Sequence, residues 1–246
     1  MQAIVNYESN NSIPSGWINF AISRSSPNGA WQRLERGEIP LDDTFFTGFQ
    51  QDLHNSTSWD QFKSRKSKSQ SVSSPDITPP AFPPLPNVDS RALFWEMMRI
   101  SRTPDPNIYP ALQVLRNKHA DKFVLGALSN TIPFPPSHPY SAKHPITEVF
   151  DVFISSAEVG LRKPHPEIYE LAVRQLDAFD RARGGSGIKV DEVCFLDDIG
   201  ENCKAARVLG MRTIKVLLGD TGKAVRELEE IAGVRLREEA DEKSKL

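Results

Sequence analysis

Apolar residues along this chain fall into two rhythms. From the N-terminus to about residue 62 they recur at three- and four-residue spacings in QAIVNYE, WINFAIS, AWQRLERG and DTFFTGFQQDL, with Pro14, Pro27, Gly29, Gly37 and Pro40 between them. That spacing predicts short amphipathic helices separated by breakers. From residue 91 onward, helical stretches (RALFWEMMRISR, YPALQVLRNKHA, PEIYELAVRQLDAF, ENCKAARVLG, KAVRELEEIAG) are interleaved with short, almost continuous apolar runs (KFVLGALSN, VFDVFISS, EVCFLDD, RTIKVLL). Such runs suit strands covered on both faces, so the expected class is α/β: a doubly wound parallel sheet with a small all-helical unit before it.

Between the two rhythms the composition changes. Residues 63–90 hold seven serines and six prolines in 28 residues and open on Lys63, Arg65, Lys66 and Lys68. A tract so poor in apolar side chains cannot offset its own ordering entropy, which predicts a loop or disordered insertion. The organisation expected is a helical unit over 1–62, the insertion over 63–90, the end of the helical unit and a linker over 91–105, and the α/β core over 106–246.

Composition narrows the functional classes. The formal charge of −2 and pI near 6.2 supply no basic field for nucleic acid. No apolar run approaches the length needed to span a bilayer, and the N-terminus has neither a signal-peptide nor a transit-peptide pattern. The reading is a soluble cytoplasmic protein. Cys194 and Cys203 are the only cysteines and are expected as free buried thiols. The five histidines are read as surface or loop residues.

In a doubly wound sheet, ligands collect beyond the carboxyl ends of the strands. Three of those ends carry chemistry. Ser129-Asn130 follows FVLGAL and can grip an anionic oxygen through its hydroxyl, amide and backbone N–H groups. Lys163 stands before Pro164 and Pro166, which hold it extended ahead of a helix, where an ammonium can neutralise a phosphoryl oxygen or a carboxylate. Asp197 and Asp198 end EVCFLDD. Adjacent carboxylates repel unless a cation or lysine lies between them, and an oxygen-rich pair suits Mg²⁺. Ser129, Lys163 and Asp197 are spaced 34 residues apart, about one strand-helix repeat, so neighbouring strand ends would bring them together.

These motifs resemble the second, third and fourth motifs of the haloacid dehalogenase superfamily. More closely, they resemble the phosphatase-type N-terminal domain of soluble epoxide hydrolases in its helical-cap branch, as do AWQRLERGEI and DTGKAVRELEEIAGVRL. The resemblance implies a phosphomonoester phosphatase working through an aspartyl-phosphate. Ser129 and Asn130 would hold phosphoryl oxygens, Lys163 would steady the nucleophile and the developing charge, and Asp198 would bind Mg²⁺. Asp197 would orient the lysine or assist the metal, with Asn202 in support. The partner implied is a small phosphorylated molecule, and a homodimer is allowed. The helical unit corresponds to the cap that closes over substrate.

One part of the pattern is missing. The family's first motif, Asp-x-Asp at the end of an apolar strand ahead of the cap, does not occur here, although QAIVNYE already matches the cap's first helix. That strand would lie between those ending at Ser129 and Asp197. The expectation is a sheet lacking its first central strand and a chain inactive as given, either because roughly 15–25 residues belong upstream or because the strand is lost in a marginal, inactive remnant. Two other classes compete: a non-catalytic protein binding a phosphorylated ligand or partner, and a dehalogenase. The retained acidic pair favours phosphoryl chemistry over dehalogenation. Epoxide hydrolysis is not expected, since no nucleophile elbow is present.

Overall fold

The computed structural model describes residues 2–73, 82–142 and 144–237. The chain divides into two compact units, Met1–Arg102 and Thr103–Leu246. Among the described residues no helix is long and apolar enough to cross a membrane.

The first unit is all-helical: α1 (Gln2–Asn10), α2 (Trp17–Arg24), α3 (Ala30–Glu35), α4 (Asp43–Leu53), α5 (Ser56–Ser73) and α6 (Ser90–Ser101). In α4 the apolar positions Phe45, Phe46, Phe49 and Leu53 share one buried face, and Phe45 and Phe49 meet Trp31 and Phe94 ring to ring. Each fully buried ring is worth about 2–3 kcal/mol of transfer free energy. Asp42 starts α4 by accepting from Thr44 N at 2.8 Å, and Asp89 starts α6 by accepting from Arg91 N and Ala92 N at 3.0 and 2.9 Å. The start of α2 has no local cap. Instead Glu8, 2 % exposed, reaches across from α1 and accepts from Gly16 N and Ile18 N, both at 2.8 Å. Burial pushes the Glu8 carboxyl up in pKa, and those two N–H bonds pull against it.

The Ser/Pro tract departs from expectation. The sequence predicts a disordered insertion from residue 63, whereas α5 remains helical to Ser73. Its anchor lies upstream: Trp59 and Phe62, each 3 % exposed, pack edge-on against Trp17, and Lys63 and Lys66 lie over the Trp59 and Phe62 rings. The helix seeded there runs on through the serines. Residues 74–81 lie outside the described residues. Ahead of α6 the chain is held on α4: Gln50 donates to Val88 O at 2.9 Å and accepts from Ser90 N at 3.1 Å, while His54 Nε2 accepts from Val88 N at 3.1 Å. His54, read as a surface residue, is thus part of the clamp.

The second unit is the α/β core, with α7 (Ile108–Lys118), β1 (Gly126–Ser129), β2 (Val152–Ser155), α8 (Ser156–Val159), α9 (Pro166–Ala182), β3 (Cys194–Asp197), α10 (Gly200–Val208), β4 (Arg212–Lys215) and α11 (Thr221–Ala232). One apolar cluster joins Val152, Ile154, Ile168, Tyr169, Leu176 and Met211; a second joins Ala111, Leu115, Val225 and Leu236. Val124 packs into the first and its neighbour Leu125 into the second, the alternation of a sheet covered on two sides. Helix α9 lies so near β1 that a Cβ on Gly126 would stand 2.9 Å from Leu176 Cδ2, which is why glycine begins that strand.

The strands form two parallel pairs rather than one sheet. β1 pairs with β2, Gly126 opposite Val152 and Ser129 opposite Ser155; β3 pairs with β4, Cys194 opposite Arg212 and Asp197 opposite Lys215. Among the described residues no strand joins β1 to β3. Both strands show it in their burial: Gly126 is exposed, Ala127 to Ser129 are half-buried, and in β3 only Asp197 is buried. This is the interrupted sheet expected of a core without its first central strand.

Candidate active site

Ser129 ends β1, Lys163 stands before α9 and Asp197 ends β3. Bonds link the three tips. Asn130 Oδ1 accepts from Lys163 N at 2.9 Å, and Asn130 Nδ2 donates to Lys163 O at 3.2 Å, so one amide fixes the lysine's backbone from both sides. Lys163 Nζ then donates to Asp197 Oδ2 at 2.8 Å. The pair is buried, with the lysine side chain 12 % exposed and the aspartate 6 %. Asp197 Oδ1 accepts from Ile199 N at 2.7 Å and from Asn202 Nδ2 at 3.0 Å. Asn202 is itself steadied by Tyr169, whose hydroxyl donates to Asn202 O at 3.1 Å. Burial, with Asp197 nearby, pushes the Tyr169 phenol well above its ordinary pKa, so it stays a neutral donor.

Two expected roles change with this geometry. The Asn130 side chain is spent on the Lys163 backbone, so what Asn130 can offer a phosphoryl oxygen is its own N–H. Asp197 has one oxygen on the ammonium and the other under two N–H donors, which makes it the group that orients Lys163. Asp198, half-buried beside it, is the carboxylate left for a metal. Among the described residues no three His, Cys, Asp or Glu side chains gather around one point. A site of one or two carboxylates completed by water and substrate phosphate is nonetheless the donor set Mg²⁺ takes, so these residues fit that ion. Counting Lys163 and Lys215, opposite Asp197 in the β3–β4 pair, as +1 each and the two aspartates as −1 each, the cluster is formally neutral. A phosphate dianion would bring an uncompensated −2, which a divalent cation at Asp198 would offset.

Several supporting groups escaped the sequence reading. Thr131 Oγ1 lies 2.7 Å from Ser155 Oγ, and Thr131 N donates to Ser156 Oγ at 2.9 Å, which ties the turn after β1 to the end of β2. The signal was present in the hydroxyls closing FVLGALSNT and VFDVFISS, but a hydroxyl at a strand end is also ordinary turn chemistry. Lys215 is the other. It stands opposite Asp197 in the β3–β4 ladder, and its Nζ would be 3.3 Å from a Cβ placed on Gly200. Both cysteines are free as expected, Cys203 buried and Cys194 half-buried; burial pushes the Cys194 thiol up to about 11, out of reach of thiolate chemistry at neutral pH.

Comparison with known proteins gives the family. The family model of haloacid dehalogenase-like hydrolases matches residues 86–210. Bifunctional epoxide hydrolase 2 of Rattus norvegicus is 42 % identical over 93 residues, which is 38 % of this chain and 15 % of that protein. The Sus scrofa protein of the same name is 45 % identical over 87 residues, 35 % of this chain and 14 % of that one. The matched regions thus span only a small part of these relatives. The sesquiterpene phosphatase astK of Aspergillus oryzae is 28 % identical over 149 residues, 61 % of this chain and 67 % of that one. Among solved structures, an HAD-like family hydrolase from Porphyromonas gingivalis superposes with a TM-score of 0.49 at 17 % identity, over 92 % of this chain and 89 % of that one. With the family model covering half of its length, the chain belongs to the haloacid dehalogenase-like hydrolases.

Proposed function

We propose that this chain carries the phosphate- and metal-binding part of an Mg²⁺-dependent phosphomonoesterase and lacks the attacking carboxylate. As given, it binds a small phosphorylated molecule without turning it over. The observation that carries this reading is the bonded series from Asn130 through Lys163 and Asp197 to Asn202, which gathers the strand-end groups of an anion site. The printed name of the Aspergillus relative, a phosphatase, supports the same class.

Each residue has a part. Ser129 Oγ and the Asn130 N–H donate to phosphoryl oxygens. Lys163 supplies positive charge that Asp197 aims and Asn130 fixes in place. Asp198 would hold Mg²⁺ together with the phosphate. The ion, when bound, would neutralise phosphate charge that the formally neutral cluster leaves uncompensated. The nucleophile belongs on an apolar strand paired into the gap between β1 and β3 and ending in Asp-x-Asp. Its first carboxylate would form the P–O bond as the ester oxygen leaves, and the second would pass the proton.

The test compares phosphate release from an aryl phosphate by the chain as given and by the chain extended at its N-terminus with such a strand, with and without Mg²⁺. The expected result is turnover only in the extended protein with the ion. Turnover by the chain as given would place the nucleophile elsewhere. Binding without turnover in both forms would favour a non-catalytic phosphate-binding protein.

A further inference from the structure

Helix α5 has a second half that the reading above leaves unused. Trp59 and Phe62 hold its first two turns, and the sequence then supplies no apolar residue until Val72. Across that stretch lie Lys63, Arg65, Lys66 and Lys68, with no acidic residue between Asp60 and Asp76, in a chain whose formal charge is −2. Serine is among the weaker helix formers, and a helix without a buried face has little besides propensity to hold it. These turns therefore open at small cost while the rest of the unit stays folded.

The serines in this stretch are not equivalent. Ser64 donates its hydroxyl back to Asp60 O at 2.9 Å, a bond that occupies it within the helix. Ser67 is half-buried and sits in Arg65-Lys66-Ser67-Lys68. It has arginine two positions before it and lysine on either side. Lys63 lies one turn back on the same face, four residues away, and already pairs with Asp60 at 2.8 Å.

We propose that Ser67 is a phosphorylation site for an ATP-dependent serine kinase that reads basic residues ahead of the hydroxyl. In the reaction Ser67 Oγ forms a bond to the γ-phosphorus of ATP. The bond from that phosphorus to the β–γ bridging oxygen breaks, ADP leaves, and the hydroxyl proton passes to the kinase's base and on to water. The kinase binds the segment extended, which a stretch with no buried side chain over 63–68 permits and a packed helix would forbid. The product places a charge of about −1.5 to −2 among four cations. That cancels close to half of the patch and gives Lys63 a second anionic partner. Modification thus removes about half of the stripe's positive charge, independently of the strand-end site.

The experiment uses the full chain, folded, with ATP and a purified kinase that selects arginine two residues before serine; phosphate is located by peptide mass spectrometry. The expected result is one phosphate, at Ser67, added at a rate within about tenfold of that for an unfolded peptide spanning 60–73. Arg65→Ala should slow it at least tenfold and Ser67→Ala should abolish it. An acid-directed kinase serves as the control and should leave the segment unmodified. The proposal is overturned if the folded chain takes no phosphate while the peptide does, if the phosphate goes to another serine, or if Arg65→Ala has no effect. Because the readout is the position of the phosphate, failure here leaves the phosphatase reading standing, and the reverse also holds.

Discussion

Replacing Asp197 by asparagine is the perturbation that probes the site's internal wiring. The carboxylate serves three donors: Lys163 Nζ at 2.8 Å on one oxygen, Ile199 N at 2.7 Å and Asn202 Nδ2 at 3.0 Å on the other. An asparagine must turn its NH₂ toward one of these sides and there meet a donor with a donor. With the Lys163 side chain only 12 % exposed, the ammonium cannot rehydrate without leaving its place. Breaking a buried pair by removing one partner costs about 3–5 kcal/mol, and the residual exposure of Lys163 argues for the lower end, about 3 kcal/mol. With a urea dependence of about 2 kcal/mol/M, the unfolding midpoint should fall by about 1.5 M. Lys163→Met leaves Asp197 with its two N–H donors, so its cost should be smaller, about 1–2 kcal/mol. The double variant should be less destabilised than the sum, by at least about 1 kcal/mol. Equilibrium urea unfolding of the four proteins, followed by circular dichroism, decides the matter. A midpoint for Asp197→Asn within about 0.3 M of the parent, or strict additivity in the cycle, would refute the account of the pair.

Other outcomes follow from single contacts. Glu8→Gln offers one oxygen where Gly16 N and Ile18 N now find two, so one buried donor is orphaned; thermal unfolding should show a loss of about 1–3 kcal/mol. Glu229 is held down to about 2, mainly by its bond to the Arg237 guanidinium and further by Leu236 N and Arg237 N, against the opposing effect of burial. A depressed acid contributes stability that is whole above its unfolded pKa of about 4.5 and is lost as pH falls through the folded value. Melting curves of Glu229→Gln should therefore lie below the parent above pH 4.5 and converge with it near pH 2; a gap constant over that range would contradict the assignment.

Much of the fold was legible because each segment's pattern agreed with its environment. All four strands of the described residues appear inside the predicted apolar runs, and Asn130, Lys163 and Asp197 are joined by hydrogen bonds. The strands are shorter than their runs, four residues each, and β1 and β3 each have one neighbour to bond rather than two. Helix α5 was missed because composition averages over a window, while Trp59 and Phe62 seed a helix that propagates into serine. Side-chain roles were least legible. Nothing in Ser-Asn distinguishes an amide that holds phosphate from one that pins Lys163, and nothing in Asp-Asp tells which carboxylate an ammonium takes. Those choices depend on strand register and on the turn after β3, which a single sequence does not display.

The central claim of the proposal is that the strand-end cluster binds a phosphate dianion more tightly alongside a divalent cation held at Asp198. Isothermal titration of the chain with inorganic phosphate, with and without Mg²⁺, measures it directly. The account predicts binding that tightens at least tenfold with the ion, loses that dependence in Asp198→Asn and weakens in Lys163→Met. Phosphate affinity that ignores both Mg²⁺ and the Asp198 substitution would contradict it.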